Sequence, residues 1–194
     1  HGLMGENGAG KSTLIKVLTG LYPKDEGEIL LEGTPLSLSS PKEAPAHGIS
    51  TLYQEINLIP ALSVAENIYI GREPTRLGRI DWKKSNRDAS VAIRKLDLNI
   101  DAPQPVSTYS VAIQQLVAIT RALEISAKVL ILDEPTSSLD LAEVEQLFKV
   151  INRLKAEGIG ILFVTHFIDQ VYEITDRITV LRNGAFIGEF ETAS

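Results

Sequence analysis

Glycines and a lysine near the start of the chain form a pattern that can bind phosphate. Residues 5–12 read Gly-Glu-Asn-Gly-Ala-Gly-Lys-Ser and fit the P-loop pattern. Glycines let backbone N–H groups converge on phosphate oxygens, and the helix that follows points its positive end at the same anion. We expect Lys11 to neutralise the β- and γ-phosphates of a nucleotide and Ser12 to bind Mg²⁺. The predicted phosphate-binding residues are Gly5, Glu6, Asn7, Gly8, Ala9, Gly10, Lys11, Ser12 and Thr13.

Two acidic residues directly follow a continuous aliphatic run at residues 129–132. Such a run is typical of a strand buried on both faces, and it would deliver Asp133 and Glu134 at its carboxyl end. We expect Asp133 to hold Mg²⁺ through water, and Glu134 to orient or deprotonate the attacking water. An acidic exit from a strand is common by itself, so this prediction depends on the P-loop upstream.

A second apolar run at residues 159–164 ends in Thr165 and His166. A lone histidine at the end of a strand is more often structural than catalytic. This run, however, should form a parallel strand beside the one that carries Asp133. The sequence therefore predicts that His166 reaches the γ-phosphate from the far side.

Composition limits the classes of protein to which the chain can belong. It has 194 residues, a formal net charge of −6 and no cysteine. The acidic balance argues against nucleic acid as a partner, which usually requires a basic surplus. The lack of cysteine excludes disulfides and thiolate metal sites. No apolar run approaches the roughly 20 residues that span a bilayer.

The alternation of apolar runs and amphipathic patterns predicts an α/β fold with a mostly parallel sheet. Predicted strands lie at residues 1–4, 28–31, 49–53, 129–132, 159–164, 177–181 and 185–190, and Asn183-Gly184 joins the last two as a hairpin turn. Predicted helices lie at residues 11–19, 82–96 and 111–123, and another begins after Asp140 as its cap. The apolar face of the first comprises Leu14, Ile15 and Leu18, and that of the last Leu141, Val144, Leu147, Phe148, Ile151 and Leu154.

In this order, the motifs resemble those of the nucleotide-binding subunit of the ABC transporter family, over essentially the whole chain. The resemblance implies ATP hydrolysis with Mg²⁺. Gln54 matches the Q-loop glutamine, which contacts the metal and water and couples to the membrane subunit. Residues 138–140 match the D-loop, and His166 matches the switch histidine. The implied catalytic residues are Lys11, Gln54, Glu134 and His166, and the implied metal ligands are Ser12, Gln54 and Asp133.

The resemblance also implies the family's P-loop NTPase fold. Residues 1–194 would form one partial ATP-binding domain, with a RecA-like core, an antiparallel β-subdomain and an inserted helical subdomain at roughly residues 63–123. Pro23, Gly27 and Gly33 match the β-subdomain pattern. In the family, strands and an adenine-stacking aromatic residue precede the P-loop. We expect these N-terminal strands to be truncated here.

One loop departs from the family. The signature Leu-Ser-Gly-Gly-Gln is replaced by Tyr-Ser-Val-Ala-Ile at residues 109–113, with Gln114 following. In the family this loop serves the ATP bound on the opposite cassette. Ser110, Gln114 and Asp140 would therefore act at that opposite site. Two interpretations remain open, a degenerate signature or a tolerated change in an active loop.

The combination of an intact P-loop sequence and an altered signature resembles one group within the family. This group is the N-terminal cassette of bacterial tandem-cassette monosaccharide importers of the ribose, galactose or galactofuranose type. Residues 66–74 and 110–115 carry this likeness. The likeness implies that the chain is a peripheral subunit at the cytoplasmic face of the inner membrane and that its ATP hydrolysis drives sugar import. The implied partners are a second ABC cassette, membrane permease subunits and, indirectly, a periplasmic sugar-binding protein.

Other functions remain open. The chain could be a non-transport ABC ATPase of the translation or DNA-repair type, or a regulatory cassette with little turnover. Basic residues cluster in the predicted helical segment, and they form either a solvated face or a contact with the permease. They are Arg72, Arg76, Arg79, Lys83, Lys84 and Arg87.

Overall fold

Ten strands and seven α-helices make up the computed structural model, which describes residues 1–53, 57–125 and 127–192. The strands are β1 (Gly2–Met4), β2 (Ile29–Leu31), β3 (Thr34–Leu36), β4 (Ile49–Leu52), β5 (Thr75–Arg76), β6 (Arg79–Ile80), β7 (Val129–Asp133), β8 (Gly160–Val164), β9 (Arg177–Arg182) and β10 (Ala185–Glu191). The helices are α1 (Lys11–Leu18), α2 (Glu43–Ala46), α3 (Val64–Tyr69), α4 (Trp82–Lys95), α5 (Val111–Leu123), α6 (Leu141–Ala156) and α7 (Ile168–Ile174). Among the described residues, no helix has the length and apolar character to cross a bilayer.

The central sheet has six strands in the order β10-β9-β1-β8-β7-β4. Every neighbouring pair is parallel except β9 and β10, which form an antiparallel hairpin. The turn of that hairpin places Asn183 and Gly184 in left-handed backbone conformations, as the Asn-Gly pair predicts. The predicted α/β fold with a mostly parallel sheet is therefore confirmed.

The largest part of the core lies between the sheet and helices α3 to α6. Leu130 and Leu132 of β7 are fully buried, since β7 is covered by β4 and β8 at its sides and by helices on its face. On α6 the predicted stripe is buried from Val144 onward. Leu141 is an exception to that prediction. It is 85% exposed because it occupies the first turn, beyond the edge of the core.

Helix α1 ends as its sequence predicts. Gly20 is left-handed, its N–H donates to Val17, and the N–H of Leu21 donates to the carbonyl of Lys16. These two bonds satisfy carbonyls that a helix end leaves unpaired. The prediction that Leu14 belongs to the buried face of this helix is wrong, because Leu14 is exposed. Ile15 is the buried residue of that face.

Residues 63–123 form α3, α4 and α5, which pack against one another, together with the β5–β6 hairpin. Fully buried Asn67 anchors α3, because its amide oxygen accepts from the N–H of Ile59 and its amide nitrogen donates to three carbonyls. The sequence predicted a mostly helical segment here and missed the hairpin. Its strands contain two residues each, too few to show an alternating pattern.

Candidate functional site

Three neighbouring parallel strands bring the predicted chemistry to one edge of the sheet. β1 leads into the P-loop, β8 leads to His166, and β7 ends at Asp133. In the sheet register Val164 lies opposite both Leu3 and Asp133. The P-loop, Glu134 and His166 therefore start from adjacent strand ends, as the carboxyl edge of a parallel sheet requires.

The P-loop is held closely against β9 and its turn. A Cβ added at Gly5 would lie 2.5 Å from the carbonyl oxygen of Leu181 and 2.8 Å from the Cβ of Ala9. Gly10 is left-handed at φ 102° and begins α1 without a capping side chain. The N–H groups of the first turn, over Ser12 and Thr13, are therefore available to an anion.

Lys11 extends back inside its own loop. The residue is 8% exposed, and its ammonium group donates to the carbonyl of Gly5 at 2.6 Å and to that of Glu6 at 3.3 Å. A buried ammonium held by carbonyls that carry no net charge can transfer those hydrogen bonds to a phosphate group.

Asp133 lies in the electrostatic field of its neighbours. Burial raises the pKa of its carboxyl group, adjacent Glu134 raises it further, and the Lys11 ammonium lowers it. Lys11 thus acts on the carboxylate of Asp133, which its positive charge stabilises.

Glu134 and His166 lie in contact as a charged-type pair, with 2.9 Å between Oε2 and Nδ1. Glu134 has a left-handed backbone at φ 49°, and its N–H donates to the carbonyl of Val164 at 2.8 Å. Such a conformation costs on the order of 1–3 kcal/mol in a residue other than glycine and is common at functional sites.

A contact that the sequence did not predict supports the segment after Glu134. The buried Thr136 hydroxyl donates to the amide oxygen of Gln170 on α7 at 2.5 Å. Gln170 lies four residues beyond His166, so one hydrogen bond links the two segments that carry the pair. No spacing in the sequence indicates this contact, because its partners are 34 residues apart.

The other predicted site residues lie outside the described residues or form hydrogen bonds within their own helix or loop. Gln54 falls outside the described residues. Ser110 caps α5 through the N–H of Ile113, and Gln114 donates to the carbonyl of Tyr109 at 2.9 Å. Asp140 caps α6 in a reciprocal arrangement with Glu143. Within the described residues, these side chains bond to their own segments and are not joined to the P-loop.

The donor set fits Mg²⁺ only in the presence of phosphate. Among residues 1–53, 57–125 and 127–192, no group of three or more acidic or histidine side chains could hold a metal. Mg²⁺ usually takes one or two protein oxygens, with phosphates and water as its other ligands. Ser12 and Asp133 supply that kind of donor beside the P-loop.

Comparison with protein families identifies the chain. The family model described as "ABC transporter" matches residues 1–137, more than two thirds of the sequence. The chain belongs to the ABC transporter family.

Members of the ABC transporter family with curated names match nearly the whole chain. The galactofuranose transporter ATP-binding protein YtfR of Escherichia coli (strain K12) is 54% identical over 98% of this chain and 38% of its own length. The fructose import ATP-binding protein FruK of Bifidobacterium longum is 53% identical over 99% of this chain and 38% of its own length. The chain thus spans under two fifths of these relatives.

Solved structures of ABC transporter cassettes share the fold. The ADP conformation of one ATP-binding cassette superposes with a TM-score of 0.84 at 28% identity, over 98% of this chain and 79% of that one. A dimeric post-hydrolysis cassette bound to ADP and Pi gives 0.79 at 25% identity, over 100% and 85%. The P-loop NTPase fold predicted from the sequence is confirmed.

Proposed function

We propose that this chain binds ATP and provides the catalytic half-site for its hydrolysis. The observation that carries the proposal is the Glu134–His166 pair, at 2.9 Å, at the sheet edge from which the P-loop also starts. A module that only bound nucleotide would need the P-loop alone. A carboxylate beside an imidazole at this edge supports a general base for water.

Each residue type has a distinct task in the proposed reaction. The P-loop N–H groups and Lys11 bind the phosphates and offset their charge. Mg²⁺, held by Ser12, Asp133 and Gln54, would supply further charge neutralisation at the phosphate oxygens. Glu134 accepts a proton as the water oxygen bonds to the γ-phosphorus. The bond from that phosphorus to the bridging oxygen breaks, giving ADP and inorganic phosphate.

His166 positions the base in this scheme. Its Nδ1 lies 2.9 Å from a carboxylate oxygen of Glu134, and its side chain is half exposed. The bridge from Thr136 to Gln170 couples the two segments, so the carboxylate and imidazole would move together.

The transport process that ATP hydrolysis would drive is proposed from the names of the relatives. Curated relatives are named for the import of galactofuranose, fructose and ribose, and further ones for galactose and methyl galactoside. We propose that the whole protein energises import of a monosaccharide, acting with permease subunits and, indirectly, a periplasmic sugar-binding protein. Its site would be the cytoplasmic face of the inner membrane.

A second cassette completes the proposed site. The dimer of a related cassette supports pairing. Ser110, exposed at the start of α5, together with Gln114 and Asp140 is suited to serve ATP on the partner cassette, as the family resemblance implies. The replaced glycines of the signature make this opposite site the weaker of the two.

The test is steady-state ATP hydrolysis by the complete tandem protein with its permease. We expect Glu134→Gln to slow turnover roughly 10²–10⁴-fold while Mg²⁺-ATP binding is retained, because only proton acceptance is lost. Glu145→Gln, an exposed position on α6, is the matched control and should turn over normally. Parental turnover in Glu134→Gln would contradict the assigned base. Absence of turnover in the parental complex would favour the regulatory alternative.

A further inference from the structure

Exposed apolar side chains lie on the β5–β6 hairpin and at the start of α4. Leu77, at its tip, is 97% exposed, and Ile80 and Trp82 are also exposed. We call residues 75–83 the basic finger, because Arg76, Arg79 and Lys83 surround these apolar residues. An apolar apex within a ring of cations is unusual on a chain with net charge −6.

The turn at the tip of the basic finger does not favour leucine. Leu77 and Gly78 are both left-handed, at φ 52° and φ 76°, in a two-residue turn. Asn-Gly suits such a turn, whereas a leucine side chain crowds its own backbone there. Leu77 is therefore unfavourable both for its backbone and for its exposure to water. Neither the fold of the hairpin nor the core accounts for a leucine at this position.

The cationic side chains at the tip also repel one another. Arg76 and Arg79 lie directly opposite each other in the strand pair, and like charges in that position repel. Within the part of the chain that the structure describes, neither they nor Lys83 takes part in a salt bridge, whereas Lys84 and Arg87 pair with Asp88. An external anion would relieve the repulsion.

The nearby acidic side chains accept hydrogen bonds from backbone N–H groups. Glu73 accepts from the N–H of Gly71, and Asp81 accepts from the N–H of Lys84 as the cap of α4. The N–H of Asp81 also donates to the carbonyl of Pro74 at 2.8 Å, which closes the base of the hairpin. The base of the basic finger is therefore joined to the start of α4 by hydrogen bonds, while Leu77 at its tip is exposed.

We propose that the basic finger docks onto an anionic lipid surface. Leu77 enters the interface, exposed Trp82 lies at the headgroup level that tryptophan prefers, and Arg76 and Arg79 bind lipid phosphates. An exposed apolar apex with cations beside it complements a negatively charged bilayer. The proposal rests on the proposed function only for the presence of a membrane nearby.

The test is co-sedimentation of this chain with vesicles. One set contains phosphatidylcholine alone, and the other an equimolar mixture of phosphatidylcholine and phosphatidylglycerol. We expect binding to the anionic set, decreasing as salt is raised, and little binding to the neutral set. The double variant Arg76→Gln/Arg79→Gln should bind at least about tenfold more weakly. Lys149→Gln, at an exposed lysine on α6, is its control.

Leu77→Asn separates docking from folding. Asparagine suits the turn, so thermal stability should hold or rise while vesicle binding falls. Leu141→Asn removes another highly exposed leucine and should bind vesicles normally. The proposal is overturned if the wild-type protein does not bind anionic vesicles or binds both sets of vesicles equally. It is also overturned if the Leu77→Asn variant binds anionic vesicles as well as the wild type does. Mg²⁺-ATP binding, measured in parallel, shows separately whether the nucleotide site is intact.

Discussion

The backbone N–H of Gly184 donates to the carbonyl of Ala9 at 3.2 Å, so the turn between β9 and β10 is bonded to the P-loop. Leu181, at the end of β9, meets the same loop at Gly5. The phosphate-binding loop is therefore shaped by residues more than 170 positions away as well as by its own glycines.

Gly5→Ala should disrupt this contact. The added methyl group would lie 2.5 Å from a backbone oxygen that cannot move aside, so we expect a loss of about 1–3 kcal/mol in unfolding free energy and loss of ATP binding. Gly160→Ala is the control, since its Cβ would meet no atom closer than 3.6 Å. Urea unfolding and calorimetry with Mg²⁺-ATP measure both effects. Normal nucleotide binding by Gly5→Ala would show that the loop tolerates displacement from β9.

Thr136→Val should slow hydrolysis without weakening nucleotide binding. The substitution keeps the shape of the side chain but removes the hydroxyl bonded to Gln170, at a cost of about 1 kcal/mol. The segment that follows Glu134 would then lose its hydrogen bond to α7. Turnover by the complete protein measures the effect. Thr108→Val removes an exposed hydroxyl bond to Pro105 and serves as the control.

A double-mutant cycle tests the same bond. Thr136→Val and Gln170→Ala should each reduce turnover, and the double variant should be no slower than the more affected single variant. Independent, multiplicative effects of the two substitutions would show that the hydrogen bond does not couple the segments.

Two substitutions at Asp140 separate helix capping from a role at the opposite site. Asparagine caps helices as well as aspartate does, whereas alanine should cost about 0.5–2 kcal/mol. We expect Asp140→Asn to keep the melting temperature and to lower turnover in the paired protein. A fall confined to Asp140→Ala would mean that the side chain acts only as the cap of α6.

The sequence predicted those parts of the site whose geometry follows from local order. Residues 5–12 and the acids after residue 132 lie where a parallel sheet must bring them, because each follows its own strand directly. The position of a residue within an amphipathic pattern was less informative. Leu141 continues the stripe of α6 by spacing, yet it lies beyond the core at the first turn of the helix.

Features that depend on distant contacts could not be predicted from the sequence. The bond from Thr136 to Gln170 joins two loops through the packing of α7, and neither residue type is distinctive at its position. The left-handed backbone of Glu134 is likewise imposed by its bond to Val164 on the neighbouring strand. The β5–β6 hairpin was missed because Leu-Gly is not a common turn pair.

The place of β1 in the sheet also governs when the site can form. β1 is bonded on one side to β8 and on the other to β9, so its three residues have no sheet partner until residues 160–182 have left the ribosome. The P-loop is thus synthesised well before the strands that flank β1. Pairing across such sequence separation is slow and leaves apolar strands uncovered in the meantime. During synthesis the aliphatic strand at residues 129–133 has its β4 partner available but stays uncovered on its other side until residues 160–164 emerge.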